Sequence, residues 1–186
     1  MRIVAGRFKG KSLYAPKGLN TRPTTDRVRE ALFNVLTHGA PEIAFENMRV
    51  LDLFSGSGAL GLEALSRGAR YCLFIEEDAG ARGAIRRNVE ALGLTGVTKI
   101  WRRDATRLGP VGTMSPFDLV FCDAPYGKGL GTRALESALD GGWLAPDAVA
   151  VLEERAGEPA NWPQGLEEID RRRYGDTEIA IARRER

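Results

Sequence analysis

The sequence predicts an α/β fold built on a mostly parallel sheet with helices on both faces. From Arg49 onward, short apolar segments alternate with segments whose apolar residues recur at helical spacing. The strand segments are almost continuously apolar, which is typical of strands covered on both faces. A glycine-rich loop, Gly56-Ser57-Gly58-Ala59-Leu60-Gly61, follows the first strand and opens a helix, as in many nucleotide sites. Together these features favour repeated β-α-β units.

The first part of the chain has the pattern of a hairpin followed by one helix. Residues 2–5 and 12–15 have the composition of short strands, and Gly6 and Gly10 lie between them. A connection that contains proline and glycine follows over residues 16–23. Thr25 or Asp26 can then cap a helix whose apolar residues share one face, namely Val28, Leu32, Val35 and Leu36. We predict that Arg27 and Arg29 lie off that face, where they can reach a ligand.

The remaining elements alternate as β-α-β units require. Strands are predicted over residues 50–54, 71–75, 97–101, 118–122 and 148–152, and helices over residues 59–67, 80–92 and around 132–139. Residues 167–174 and 177–182 are predicted to form a closing hairpin around Gly175 and Asp176. We therefore divide the chain into a basic N-terminal hairpin and connection, residues 1–24, and an α/β domain, residues 25–186.

Composition excludes several classes of protein. The chain has 186 residues, of which 43% are hydrophobic, so disordered and fibrous proteins are excluded. The longest apolar stretch, residues 148–152, is too short for a membrane span, and the N-terminus lacks the apolar centre of a signal peptide. Cys72 and Cys122 fit neither a zinc site nor a redox pair and are expected to be buried thiols. We expect a cytoplasmic protein with no membrane contact and no metal.

Charge is distributed unevenly although the net charge is only +2. Residues 1–29 contain one acid, Asp26, and eight basic side chains: Arg2, Arg7, Lys9, Lys11, Lys17, Arg22, Arg27 and Arg29. The rest of the chain contains 19 of the 27 basic residues and 24 of the 25 acidic residues, so its net charge is −5. This distribution favours a polyanion bound at one end of the molecule, although a solvated surface segment would have the same composition.

The glycine loop predicts a site for a cofactor that contains a nucleoside. Its glycines let the backbone approach a ligand closely, and the following helix offers free N–H groups. Glu76 ends the next strand, 24 residues after Asp52, where a carboxylate can accept hydrogen bonds from ribose hydroxyls. Asp104 follows the third strand and is placed to reach an adenine amino group.

Asp52 distinguishes between possible cofactors. A carboxylate at the end of the first strand would repel a pyrophosphate, whereas it suits the ammonium of a methionine moiety and a sulfonium cation. The loop therefore indicates S-adenosylmethionine, with S-adenosylhomocysteine as the product, rather than a dinucleotide. The alternative is that Asp52 only caps the loop.

The loop Asp123-Ala124-Pro125-Tyr126 should lie at the same edge of the sheet, because it follows the strand predicted over residues 118–122. A base amino group is a poor nucleophile, since its lone pair is delocalised into the ring. Acceptors on Asp123 and on the Ala124 carbonyl would draw the nitrogen towards tetrahedral geometry and aim its lone pair at a methyl donor. Pro125 stiffens the turn, and Tyr126 offers a flat face to a flipped-out base. The alternative is an ordinary turn.

Three segments, one of which contains the glycine loop, together with the loop of residues 123–126 resemble motifs of the RsmD-type 16S ribosomal RNA guanine-N2 methyltransferases. They are RIVAGRFKG at residues 2–10, RPTTDRVRE at residues 22–30 and SGSGALGLEALSRGA at residues 55–69. The resemblance spans nearly the whole chain and is weakest after Asp140. It implies the class I fold of S-adenosylmethionine-dependent methyltransferases: a Rossmann-like seven-stranded sheet in the order 3-2-1-4-5-7-6, with strand 7 antiparallel and a small N-terminal β-hairpin and helix extension. In that order Cys72 and Cys122 lie about 9–10 Å apart, beyond disulfide reach.

The resemblance also implies roles for individual residues. Cofactor contacts are expected at Asp52, Phe54, Ser55, Gly56, Gly58, Glu76, Asp104 and Ala105, and the catalytic loop is Asp123, Ala124, Pro125 and Tyr126. The implied substrate is one guanine of small-subunit rRNA, presented on an assembled or partly assembled particle, and we expect a monomeric enzyme. RNA contacts are expected at Arg2, Arg7, Lys9, Lys11, Arg22, Thr24, Arg27 and Arg29.

One departure from the family pattern lies in the catalytic loop. The family usually has two consecutive prolines where this chain has Ala124-Pro125. Alanine keeps the carbonyl acceptor but frees its own φ angle and restores an N–H group. We expect a looser loop with the chemistry intact.

Other functions fit the sequence less well. An adenine-N6 methyltransferase acting on DNA or RNA would use the same loop, but the small basic arm suits a folded RNA whose shape supplies specificity. A nicotinamide-dependent oxidoreductase is disfavoured by Asp52 and by the lack of a residue for hydride transfer, since His38 lies far from the motifs. A catalytically inactive RNA-binding factor with this fold is not supported, because no residue of the motifs is missing. The run Arg171-Arg172-Arg173 is either an RNA contact or a solvated strand edge.

Overall fold

The computed structural model describes residues 1–16 and 25–186, and its main feature is a seven-stranded sheet. The strands are β1 (Arg49–Leu53), β2 (Tyr71–Ile75), β3 (Thr98–Trp101), β4 (Phe117–Cys122), β5 (Leu144–Arg155), β6 (Leu166–Tyr174) and β7 (Thr177–Arg184). The helices are α1 (Asp26–His38), α2 (Ala59–Ser66), α3 (Ala79–Ala91) and α4 (Leu130–Asp140), and short 3₁₀ turns cover Thr95–Val97 and Ala105–Arg107. The elements predicted from residue 50 onward are confirmed. Only β5 is much longer than predicted, because Leu144 already pairs with Phe117 of β4 and the pairing with β7 continues to Arg155.

The strand order is β3-β2-β1-β4-β5-β7-β6. Strands β1 to β5 are parallel, and β7 runs antiparallel to both β5 and β6. This arrangement confirms the predicted class I methyltransferase fold. Leu53 at the end of β1 pairs with Ile75 on one side and with Cys122 on the other. The loops that follow β1, β2 and β4 therefore meet at one edge of the sheet, which we call the carboxyl edge.

Two hydrophobic cores cover the two faces of the sheet. One core contains Phe33 of α1, Leu62 of α2 and Phe74 of β2, and the other contains Leu135 of α4 and Trp143. These five side chains are fully buried. Because each large apolar side chain contributes about 1.5–3 kcal/mol when buried, this packing holds the helices in place on the sheet. The N-terminus of α2 is thereby fixed at the carboxyl edge.

Residues 1–16 pack against α2. The predicted hairpin is reduced to a single antiparallel bridge between Arg2 and Ser12, and Gly6 and Gly10 turn the chain with φ angles of 84° and 85°. A Cβ atom at Gly6 would lie 2.1 Å from the carbonyl oxygen of Ser66, so only glycine fits at this point. This close approach joins the N-terminal segment to the C-terminal end of α2.

The two cysteines are free and buried, as expected. Cys72 lies on β2 and Cys122 on β4, with β1 between them. Burial is the main cause that raises the pKa of both thiols well above the ordinary value. Both cysteines are therefore unreactive parts of the core.

Some of the predicted features lie in residues 17–24, outside the described residues. They include Lys17, Arg22 and Thr24, and most of the connection predicted over residues 16–23. Within the described ranges, none of the helices is both long and apolar enough to cross a membrane. The same ranges contain no group of side chains that could hold a metal ion.

Candidate active site

The glycine loop connects the carboxyl end of β1 to α2. Phe54, Gly56 and Gly58 have positive φ angles of 54°, 58° and 80°. For Phe54 this backbone conformation is strained, and such strain is concentrated at functional sites. A Cβ atom at Gly56 would have no neighbour within 4 Å, so the loop borders open space there. At Gly61 a Cβ atom would lie 2.6 Å from Cys72 Sγ, so this glycine allows α2 to pack closely on β2.

Asp52 is a buried carboxyl group on β1, with 2% of its surface exposed. Its Oδ2 accepts a hydrogen bond from the Gly61 amide at 3.0 Å, and its carbonyl accepts one from the Ser55 hydroxyl at 2.5 Å. Burial, followed by the negative charge of Glu76, raises the pKa of Asp52 to about 8. A cation beside this carboxyl group would favour the ionised form. Asp52 therefore supports the first turn of α2 and is also suited to bind a cation.

Glu76 and Asp104 follow β2 and β3 at the carboxyl edge. Glu76 accepts hydrogen bonds from the amides of Gly56 at 2.8 Å and Asp78 at 2.9 Å, so it joins the glycine loop to the start of α3. Asp104 Oδ1 accepts hydrogen bonds from the Thr106 hydroxyl and amide, and these bonds lower the pKa of Asp104. The buried Ala105 begins the 3₁₀ turn that Asp104 caps. The structure places Glu76 directly at the glycine loop and Asp104 one strand further along the edge.

The loop of residues 123–126 lies beside the glycine loop, because Cys122 pairs with Leu53. Burial is the main cause that raises the pKa of Asp123 well above its ordinary value, and the charges of Glu153 and Asp52 add to it. Ala124 is 4% exposed, whereas Pro125 is open to solvent. The structure thus brings the two predicted acids, Asp52 and Asp123, to adjacent strand ends.

Glu153 belongs to the same site, although it was not predicted from the sequence. It follows Leu152, which pairs with Cys122, so it lies on β5 beside Asp123, the residue that follows the end of β4. Glu153 is 7% exposed, and its side chain forms a hydrogen bond with that of Asp123. A hydrogen bond between two carboxyl groups requires one proton, so only one of the two is ionised. A signal was available, since Glu153 follows an apolar run just as Asp123 does.

The Tyr126 side chain is held by groups on β5 and β7. Its hydroxyl donates to Glu153 Oε1 at 3.3 Å and lies 3.4 Å from the Thr177 hydroxyl. The Arg155 guanidinium lies over the ring, 5.6 Å from its centroid. Stacking of a base on Tyr126 stays a prediction, and such a base would use the ring face opposite Arg155.

One of the predicted RNA contacts, Arg29, does not face solvent. Its side chain is fully buried and forms ion pairs with Asp26 at 2.8 Å and Glu63 at 3.4 Å. It also donates a hydrogen bond to the Arg2 carbonyl. The prediction that Arg29 reaches a ligand is wrong, because α1 turns this side chain towards a buried acid of α2. Among the other predicted RNA contacts, the exposed ones within the described ranges are Arg2, Arg7, Lys9, Lys11 and Arg27.

The arginine run on β6 is paired with acids of its own hairpin. Arg171 lies 2.7 Å from Glu168, and Arg172 lies 3.1 Å from Asp170. Exposed ion pairs of this kind contribute little to stability but occupy the guanidinium groups. The arrangement favours a solvated strand edge over an RNA contact.

Two cavities lie outside the glycine loop and the loop of residues 123–126. One, of about 320 Å³, lies beside Asp118 and Asp147 at the opposite edge of the sheet, and the other, of about 500 Å³, is lined by Thr106 and Ser137. Neither cavity is lined by Asp52 or by the residues of the loop 123–126. The geometry of the two loops and the charges of their acids identify the candidate site.

Comparisons with known proteins agree with these observations. The family model described as "Conserved hypothetical protein 95" matches residues 1–183. The chain is 37% identical over 174 residues to the ribosomal RNA small subunit methyltransferase D of Escherichia coli (strain K12), covering 91% of this chain and 84% of that protein. It is 41% identical over 142 residues to YlbH of Bacillus subtilis (strain 168), covering 75% of this chain and 74% of that protein. The solved structure of yhhF from Escherichia coli matches with a TM-score of 0.83 at 34% identity, covering 100% of this chain and 98% of that chain.

Proposed function

The chain belongs to the family of the ribosomal RNA small subunit methyltransferase D, and we propose that it methylates the exocyclic N2 amine of a guanine in small-subunit (16S) ribosomal RNA. The proposed methyl donor is S-adenosylmethionine, and S-adenosylhomocysteine is its product. The observation that carries the proposal is the pair of carboxyl groups, Asp52 and Asp123, at adjacent strand ends beside a glycine loop. The first suits a cationic cofactor, and the second suits an amino group.

The residues around the glycine loop fit this cofactor. Asp52 would bind its ammonium group, Glu76 would accept hydrogen bonds from the ribose hydroxyls, and Asp104 would accept one from the adenine amino group. The open space beside Gly56 allows a close approach to the backbone. When bound, S-adenosylmethionine supplies a methyl group activated by a positively charged sulfur. Because burial raises the pKa of Asp52, a cation here would be bound with release of the Asp52 proton.

Asp123 and Ala124 orient the amino group. In its ionised form Asp123 accepts one amino hydrogen, the Ala124 carbonyl accepts the other, and the nitrogen lone pair is directed at the methyl group. Because the pKa of Asp123 is raised, this ionised form is favoured as the pH rises. As the new N–C bond forms, the bond between the methyl group and the sulfur would break, so the positive charge would pass from the sulfur to the nitrogen. Asp123 would then take the proton that the nitrogen loses. Positioning supplies most of the catalysis, since an activated methyl group needs no Lewis acid.

The exposed basic side chains of the N-terminal segment would bind the RNA backbone. Arg7, Lys9 and Lys11 are exposed on a segment that packs against α2, the helix opened by the glycine loop. Contacts of basic side chains with phosphates supply affinity without reading sequence. We propose that the protein acts as a monomer in the cytoplasm on the small ribosomal subunit or an assembly intermediate.

Nucleoside mass spectrometry tests this proposal. Unmodified small subunits and naked 16S rRNA would be incubated with the protein and isotope-labelled S-adenosylmethionine, and the digested nucleosides would be separated. We expect label in N2-methylguanosine with the unsubstituted protein and none with the Asp123→Ala variant. Label in N6-methyladenosine, or no label in N2-methylguanosine from either substrate, would overturn the assignment.

A further inference from the structure

Tyr14 is an exposed aromatic side chain for which the proposed chemistry has no use. It is 46% exposed, and in the described part of the chain the only other exposed large hydrophobic side chain is Val97, at 36%. Single exposed apolar residues are common and need no explanation by themselves. Tyr14 differs because its backbone and its ring are both held in place.

Asn88 holds the backbone of Tyr14. The Tyr14 amide donates to Asn88 Oδ1 at 2.7 Å, and Asn88 Nδ2 donates to the Tyr14 carbonyl at 3.0 Å. The same Nδ2 donates to the Ser57 carbonyl in the glycine loop at 3.1 Å. Asn88 is 1% exposed, so these bonds are protected from water. They tie the exposed tyrosine to the loop that is proposed to bind the cofactor.

Arg87 holds the ring. Its guanidinium carbon lies 3.9 Å from the centroid of Tyr14, a close cation–π contact. Arg87 is exposed and has no ion pair among the residues that the structure describes, so its N–H groups are available to a phosphate. A guanidinium stacked on an aromatic ring combines a flat surface with a fixed positive charge.

We infer that Tyr14 and Arg87 form a stacking platform for an unpaired base of an RNA ligand, with Arg87 also contacting its phosphate. The inference rests on the proposed function and adds a contact outside the catalytic loop. The surroundings favour RNA over a protein partner, because Lys9, Lys11 and Arg86 are also exposed on the same two segments. The platform is pre-organised by Asn88, so little entropy is lost when a base binds.

The affinity for RNA tests the platform. The full chain would be titrated into a short fluorescein-labelled single-stranded oligoribonucleotide of mixed sequence at several salt concentrations. Tyr14→Ala should lower the affinity about five- to a hundredfold, as loss of one stacked base does. Stacking releases no counterion. The slope of log affinity against log salt should therefore be the same for Tyr14→Ala as for the unsubstituted protein. Arg7→Glu, in contrast, should reduce that slope.

Matched variants separate stacking from folding and from general apolar contact. The bonds of Asn88 go to the Tyr14 backbone, so side-chain substitutions leave them in place. Tyr14→Phe and Tyr14→Trp should retain affinity, whereas Tyr14→Leu should lose it as Tyr14→Ala does. Val97→Ala is the control for an exposed apolar residue elsewhere. Ultraviolet cross-linking followed by mass spectrometry should find a nucleotide adduct on Tyr14 in the unmodified protein.

Several outcomes would overturn the platform. Unchanged affinity of Tyr14→Ala for the oligoribonucleotide, or full affinity of Tyr14→Leu, would do so. If Tyr14→Ala weakened binding only to assembled small subunits and not to naked RNA, the residue would contact a ribosomal protein instead. Failure of the unmodified protein to methylate RNA would contradict the proposed function alone, because the binding and cross-linking measurements do not depend on methyl transfer.

Discussion

Buried acids occur in two regions of this protein, and their charges are compensated differently. At the carboxyl edge of the sheet, the charges of Asp52 and Glu153 add to burial in raising the pKa of Asp123, and the charge of Glu76 adds to burial in raising that of Asp52. At the junction of α1 and α2, the buried carboxylate of Glu63 lies 3.4 Å from Arg29 and 2.9 Å from Arg67. One region crowds like charges together, and the other pairs opposite charges.

The hydrogen bonds of Glu63 complete the contrast. Its two oxygens also accept the amides of Val4 and Ala5 at 2.9 and 3.1 Å, so the N-terminal segment itself helps to satisfy this acid. An acid that the chain neutralises in this way belongs to the fold. Acids that remain crowded in the free protein indicate a ligand that supplies the missing positive charge or hydrogen bonds.

The largest expected effect of a substitution on activity is at the carboxyl edge. Asp123→Ala removes the acceptor for one amino hydrogen, and we expect methyl transfer to fall by about a thousandfold or more. Cofactor affinity, measured by calorimetry, should stay nearly unchanged, because Asp123 is assigned to the substrate. A large loss of cofactor affinity would show that the roles of Asp52 and Asp123 have been confused.

The corresponding change at the other region should affect stability instead. Glu63→Ala removes one of the two acids that pair with the buried Arg29, as well as the partner of Arg67, and should cost about 3–5 kcal/mol of unfolding free energy. In a protein of this size the melting temperature should fall by about 10 °C. Glu168→Ala, which breaks an exposed pair with Arg171, is the matched control and should cost at most about 1 kcal/mol. Equal losses of unfolding free energy in the two variants would show that the buried pairs of Glu63 stabilise the fold no more than an exposed pair does.

Asp52→Asn should weaken cofactor binding on the order of a hundredfold, as loss of one partner of a buried charge pair does.

The pKa of Asp52 is raised from 3.8 to about 8 in the folded protein, so its contribution to stability falls as the pH rises between these values. In Asp52→Asn this pH-dependent loss of stability should be absent, and thermal unfolding across this pH range would detect the difference. Cofactor binding by the unmodified protein should strengthen with pH up to about 8 and release protons near neutrality. Absence of proton release in calorimetry would contradict the cation-binding role of Asp52.

Glu153→Gln should have the smallest effect and should be visible mainly in the pH profile. Without the Glu153 charge the pKa of Asp123 falls, so the ionised form of Asp123 persists to lower pH. The acidic limb of kcat should therefore shift to lower pH. Glu154→Gln is the control, because the Glu154 charge also raises the pKa of Asp123 but to a smaller extent. A shift towards higher pH, or equal shifts for both variants, would show that Glu153 does not set the state of Asp123.

Most of the fold and both loops could be predicted from sequence because their signals are local. Apolar periodicity identified the strands and helices after residue 50, and Asp, Gly and Pro marked the loops at the strand ends. The residues that escaped prediction depend on contacts between distant segments. Arg29 is buried because Glu63, on a different helix, faces it. Glu153 joins the site because β5 pairs with β4.

The sequence by itself determined the order of the elements, the two loops at the carboxyl edge and the acids that end β1 and β4. These features follow from short-range preferences that each segment has wherever it is placed. Only the tertiary structure decided which charges are compensated, since that depends on distance and burial rather than on residue type. It turned Arg29 inward to Glu63, brought Glu153 to Asp123, and tied Tyr14 to the glycine loop through Asn88. Each of these contacts joins residues far apart in the chain, where no local pattern records the pairing.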